Sequence, residues 1–233
     1  MASITLQSEL SRDIRQREII PPQKLAACYA IVIGVGAIGR QVALQLAAVG
    51  VPAMELFDHD TVGTENLAPQ AYWEIDVGCS KVQATSEVCY QLNPMTSVTT
   101  HAERFRRSSL KSLPLLKDRA LKTAVFCCVD SIVTRQLVWE TMRLRADFFV
   151  DGRMSAEVIR VLAADQPRTD SYYATTLFAA ERAYGGSCTA KSTVYTASIA
   201  AGLMLSAFTR WLRGMPVERD LTLNLLAAEL TNA

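Results

Sequence analysis

The sequence predicts an α/β fold: a doubly wound, mostly parallel sheet with a C-terminal antiparallel extension. Three observations carry that expectation. Short apolar runs alternate with stretches of helical periodicity along most of the chain. A strand–glycine loop–helix–strand unit of about thirty residues lies near the N-terminus. Half of the 233 residues are hydrophobic, which is enough for one substantial core, or for one domain with a small appendage.

The elements follow in order. Residues 29–33 form a short apolar run, the mark of a buried parallel strand, and lead into Gly34-Val-Gly36-Ala-Ile-Gly39. Residues 38–49 carry helical spacing and stop at Gly50. Residues 53–57 predict a second strand ending at Asp58. A helix over 81–92 is closed by Asn93-Pro94, and 97–102 reads as a third strand. The basic stretch 104–119, interrupted by Pro114, predicts a surface helix and loop. The apolar run 123–129 predicts a central strand ending at Asp130, followed by a helix over 131–144. A short strand over 147–150 ends at Asp151-Gly152, and 157–164 starts a second part of the sheet. Residues 165–187 lack periodicity and read as a mobile crossing segment. A long apolar helix spans 193–212, and 221–226 reads as a last strand.

Composition narrows the function classes. Lys and Arg number 24 against 23 Asp and Glu, so nothing argues for a nucleic-acid or anionic-membrane surface. The charged N-terminal stretch is not a secretory signal, and the longest apolar stretch is diluted by Thr196, Ser198 and Ser206, short of the roughly twenty residues a span needs. The six cysteines form no Cys-x-x-Cys pair, which disfavours a zinc ribbon and reads as reduced thiols in a cytoplasmic protein. Cys127 and Cys128 lie in a predicted strand and read as core. With two histidines in all, His59 and His101, histidine-dependent triad chemistry is poorly supported. His59 reads as a neighbour of the nucleotide, not a base.

The candidate chemistry begins at the glycines. Gly34 permits a tight turn, Gly36 the close approach of a phosphate, and Gly39 the packing of helix on strand. Amides at the helix start then face an anion. Such a loop also serves dehydrogenases, flavoproteins and methyltransferases, or packing alone. Asp58 ends the second strand, where an acid can bind ribose hydroxyls. Asp60, Asn66 and Gln70 follow as a polar series, and Lys81 opens the next helix after Gly78. A lysine there can reach a triphosphate as a point charge, which hydride transfer does not need. The series points to ATP held for adenylation of a carboxylate. A nicotinamide oxidoreductase, the fallback, predicts NAD binding and no need for Lys81.

The series Gly-x-Gly-x-x-Gly, Asp-x-Asp-x-Val-x3-Asn-Leu-x2-Gln, Gly-x-x-Lys and Asn-Pro resembles the ThiF/MoeB/HesA family, whose Rossmann-like adenylating fold is shared with ubiquitin-activating enzymes. The resemblance extends to Asp130 before the Thr134-Arg135-Gln136 helix, upstream to Arg15-Gln16, and downstream to Cys188 and the long apolar helix. It covers roughly residues 12–213. It implies one adenylation domain over 1–233, with a nucleotide-binding half (12–151) and a crossover and acceptor-binding half (152–233). The implied activity is ATP-dependent adenylation of the C-terminal glycine carboxylate of a ubiquitin-like or sulfur-carrier protein, with release of pyrophosphate. By that resemblance Gly34, Gly36, Gly39, Asp58, Asp60, Asn66 and Gln70 bind the nucleotide. Lys81 acts on phosphates, Asp130 places Mg²⁺, and Arg15 reaches the ATP of the other subunit of a homodimer. Cys188, after Gly185-Gly186-Ser187, takes the activated carboxyl as a thioester or takes part in sulfur transfer. Lys191 and the helix start would favour its thiolate. The competing reading of Cys188 is a small thiol in a loop.

One departure matters. The family usually places arginine between Leu and Gln in the Asn-Leu-x-Arg-Gln segment, and here Pro69 stands there. Proline has no donor, and a lost hydrogen bond to a charged group costs about 1.5–3 kcal/mol. Arg15, Arg17 and Arg40 are candidates to compensate. The alternatives are a catalytically weakened, partner-binding subunit of an activating complex, and adenylation of a peptide or non-protein carboxylate.

Overall fold

The computed structural model describes residues 12–118, 120–178 and 192–232. Eight strands form one sheet in the order β3-β2-β1-β4-β5-β6-β7-β8. The strands are β1 (Cys28–Ile33), β2 (Ala53–Phe57), β3 (Ser97–His101), β4 (Lys122–Cys127), β5 (Phe148–Ser155), β6 (Val158–Ala164), β7 (Asp220–Asn224) and β8 (Glu229–Asn232). The first five pair in parallel, and β5 through β8 pair antiparallel. The four longer helices are α1 (Ala37–Val49), α2 (Lys81–Leu92), α3 (Ile132–Met142) and α4 (Val194–Arg213).

Every residue of β1 is buried, as expected of a strand covered on both faces. One face carries α1, α2 and α4, whose Val42, Leu46, Val82, Met204 and Phe208 pack on Val32, Phe126 and Phe148. The other carries α3, with Val138, Trp139 and Met142 against Ile31, Val125 and Phe149. Helix α1 ends where Gly50 takes φ +95°, its N–H donating to the Leu46 and Ala47 carbonyls. Ser131 and Thr193 cap the N-termini of α3 and α4.

Three elements differ from expectation. The dipeptide Asp151-Gly152 does not end a strand. Strand β5 runs on to Ser155 and turns directly into β6. Gly152 is there because a Cβ would collide with Met204 of α4, so the glycine serves close packing and not a turn. The halves 12–151 and 152–233 therefore share this strand. The stretch 104–119 holds two 3₁₀ turns, Arg107–Ser112 and Pro114–Lys117, in place of a surface helix, with Phe105 and Leu113 buried beneath. Strand β8, with the pattern Glu-Leu-Thr-Asn, was not expected. The described part of the crossing segment includes a short helix, Tyr172–Thr175, that buries Tyr173.

Candidate nucleotide site

The chain turns back at the carboxyl edge of the sheet. Strand β1 feeds α1 on one side while β4 lies on its other side, so the crevice between them is a topological switch point. Gly34 opens that turn at φ +87°, and a Cβ there would come within 2.8 Å of the Cys128 carbonyl. A Cβ on Gly39 would collide with the Gly34 carbonyl. On Gly36, the N-cap of α1, it would meet nothing within 4 Å. The first two glycines are needed by the fold. The third faces open space, where the helix start can meet an anion.

Asp58 follows β2. Its Oδ2 accepts the Val35 N–H at 2.7 Å and its Oδ1 accepts the Asp60 N–H at 2.9 Å, which fixes it against the glycine loop. Asp60 joins this strand end to α2. Its carbonyl accepts the Lys81 N–H at 3.0 Å, and its Oδ2 lies 3.2 Å from Lys81 Nζ. The Lys81 side chain is only 7% exposed, so its ammonium is held by Asp60 at the base of the crevice. His59 Nε2 lies 3.2 Å from Asp60 Oδ1. Asp58, His59 and Asp60 are close enough to share a metal ion, but they already hold one another, Lys81 and the backbone.

Asn66 is buried and its Oδ1 accepts the Gly63 N–H at 2.9 Å, closing a 3₁₀ turn over Thr64–Asn66. Pro69 sits within the short helix Leu67–Gln70. Gln70 is buried, and its Oε1 has no partner among the described residues. Asp130 is exposed just beyond β4, whose following Cys128 N–H donates to the Ile33 carbonyl at 2.8 Å. Gly34, Gly36, Gly39, Asp58, Asp60, Lys81 and Asp130 thus belong to the same edge. An exposed carboxylate at Asp130 is a hard oxygen donor of the kind Mg²⁺ takes.

Arg15, expected to reach the ATP of a second copy, is not brought to this edge. Arg15 is exposed on a segment tied down by Arg12, which donates to the Leu92 carbonyl at 2.7 Å, and by Gln16, which donates to Val49 at 2.8 Å. These are the C-terminal ends of α2 and α1, at the edge opposite the crevice. Cys188, with Lys191, lies outside the described residues. Among the described thiols, burial raises Cys127, holds Cys128 well above the ordinary range and pushes Cys28 and Cys89 up to about 12, so none of these four is a ready thiolate.

Of the layer beneath the loop, the sequence marked Arg40 as a candidate to compensate for Pro69 and gave no sign of Tyr72 or Thr85. The Tyr72 hydroxyl donates to the Val35 carbonyl at 2.8 Å and lies 3.1 Å from Thr85 Oγ1. Arg40 packs its guanidinium over the Tyr72 ring, 4.1 Å from the centroid. The available signal was Arg40 itself, a charge in line with Ala43 and Ala47 on the buried side of α1.

A family model described as the ThiF family matches residues 10–232. The chain belongs to the ThiF family. It is 33% identical over 115 residues to the sulfur carrier protein ThiS adenylyltransferase of Escherichia coli K12, covering 49% of this chain and 44% of that enzyme. It is 34% identical over 116 residues to the adenylyltransferase and sulfurtransferase MOCS3 of Mus musculus, covering 49% of this chain and 24% of that one. The chain thus matches less than half the length of either relative. Among solved structures, PaaA superposes with TM-score 0.77 at 19% identity, over 97% of this chain and 73% of PaaA. E. coli MccB with ATP superposes with TM-score 0.67 at 16% identity, over 91% of this chain and 64% of MccB. These likenesses place the fold. No helix among the described residues is long and apolar enough to cross a membrane.

Proposed function

We propose that this protein is an ATP-dependent adenylyltransferase acting on the C-terminal glycine carboxylate of a ubiquitin-like or sulfur-carrier protein. The observation that carries the reading is the buried Lys81 ammonium, held by Asp60 beside a glycine loop whose Gly36 faces open space. A fixed cation at a helix-start anion site suits a triphosphate, and nicotinamide chemistry has no use for it. Relatives named adenylyltransferases support the reaction class, and the ThiS enzyme among them supports a protein carboxylate as acceptor.

In the proposed step a carboxylate oxygen attacks the α-phosphorus of ATP. The new bond is a mixed anhydride, and the bond to the bridging oxygen breaks to release pyrophosphate. Two anions are brought together, so the work of the chain is positioning and charge. Asp58 uses its remaining lone pairs on the ribose. The amides at the start of α1 and the Lys81 ammonium take phosphate charge, Asn66 orients a phosphate through its amide, and Gln70 supports that segment. Asp130 would hold Mg²⁺, which when bound neutralises phosphate charge. Arg15, on the far edge of its own subunit, would serve the site of a second copy in a homodimer. Cys188 would accept the acyl group in a later thioester step, its thiolate attacking the carbonyl carbon of the mixed anhydride and releasing AMP.

Pro69 favours a second reading, a subunit that binds a carrier with weakened catalysis. A peptide acceptor is a third, since MccB is known in complex with N-formylated MccA. Exchange of labelled pyrophosphate into ATP separates them. The first reading expects exchange that depends on a carrier ending in Gly-Gly and is abolished by Asp130→Ala, with the fold retained. Carrier binding without exchange selects the second. Cys188→Ala is expected to keep exchange and lose a reducible adduct, and an adduct that survives the change removes Cys188 from the reaction.

A further inference from the structure

We propose that Arg40 is a positioning residue of the nucleotide site, locking the segment after Pro69 onto the glycine loop and supplying a buried positive charge that a bound nucleotide balances. This rests on the ATP reading above.

Arg40 is 1% exposed in the first turn of α1. Its Nε donates to the Ala71 carbonyl at 3.2 Å, one NH group donates to Thr85 Oγ1 at 3.1 Å, and its plane lies on the Tyr72 ring. All three partners are neutral. Burial alone pulls its pKa below the ordinary guanidinium range, and Asp76 opposes this only from beyond contact, its carboxylate accepting the Trp73 N–H. The other buried cations differ. Among the described residues, buried Arg135 faces Asp151 and buried Lys81 faces Asp60. A buried cation with no carboxylate partner is costly, and the cost falls when an anion binds nearby.

The backbone gives a second, independent observation. Ala71 adopts φ +58°, a left-handed conformation that L side chains avoid. Such strain persists where surrounding structure enforces it, and it clusters at functional sites. Here Arg40 holds the strained residue's carbonyl, and the next residue, Tyr72, bonds to Val35 within the glycine loop. The guanidinium thus ties Gln70, whose Oε1 has no partner among the described residues, to the loop that faces the phosphates. The missing side-chain donor at Pro69 is offset by a charge from underneath.

The test compares ATP with adenosine, which lacks phosphates, by calorimetry on the wild-type protein, Arg40→Met and Arg40→Lys. Arg40→Met is expected to weaken ATP by about tenfold more than adenosine and to flatten the salt dependence of ATP binding. Arg40→Lys, which keeps the charge, is expected to retain most of the ATP preference. If Arg40→Met weakens both ligands equally, or neither, the inference is overturned while the ATP reading stands. A wild-type protein that binds neither ligand overturns both.

Discussion

Three glycines divide the work of the loop, and each can be read through the atom it lacks. A methyl group on Gly39 has no room beside the Gly34 carbonyl, whereas one on Gly36 meets no protein atom. Gly39→Ala is therefore expected to destabilise the fold by more than about 2 kcal/mol in urea unfolding. Gly36→Ala should leave stability within about 0.5 kcal/mol and weaken ATP by roughly tenfold or more. Equal stability losses in the two variants would show that Gly36 serves packing instead. The glycines, Asp58 and Lys81 were legible because each answers to spacing from a strand end or a helix start. Their supports were not. Tyr72, Thr85 and the Val35 amide meet them only through tertiary folding, and one-dimensional periodicity carries no trace of a hydroxyl reaching a loop carbonyl.

At the scale of elements, the parallel half was legible and the antiparallel half was less so. Strands β1, β2 and β4 are apolar runs that end at Gly34, Asp58 and the turn before Asp130, so composition marks them. Strand β5 was cut short because Asp-Gly reads as a turn, while here Asp151 is buried between Arg135 and Arg153 and accepts the Tyr173 hydroxyl at 3.0 Å. Strand β7 is fastened by a comparable device. Arg160 grips both oxygens of Asp220, at 2.9 and 2.6 Å, and Tyr172 donates to the same carboxylate at 2.7 Å. The hydrogen bond from Arg160 holds the Asp220 carboxyl below the ordinary carboxylate range. A depressed folded-state pKa adds stability above the unfolded value, and that stability is lost as pH falls through the folded one. Asp220→Asn is accordingly expected to lower Tm by about 2–4 °C at neutral pH. The gap should close in acid, at a pH below the ordinary carboxylate range. A gap that persists there would assign the loss to packing.

For the whole molecule, what matters is which residues one chain can bring to its own site. The crevice collects the glycine loop, Asp58, Asp60, Lys81 and Asp130, while the segment carrying Arg15 is fastened to the opposite ends of α1 and α2. If a second copy supplies Arg15, Arg15→Ala and Lys81→Ala should each be inactive alone. Mixed after subunit exchange, they should recover about a quarter of wild-type activity, since half the dimers would carry one intact site. No recovery on mixing would leave Arg15 outside the reaction. The central claim, adenylation at the carboxyl edge of the sheet, is most directly tested by following ATP labelled in the α-phosphate with a Gly-Gly-terminated carrier protein. The account predicts that label moves onto the carrier, that label in the γ-phosphate does not, and that Lys81→Ala abolishes the transfer. Transfer of the γ-label, or of none with a carrier that binds, would contradict it.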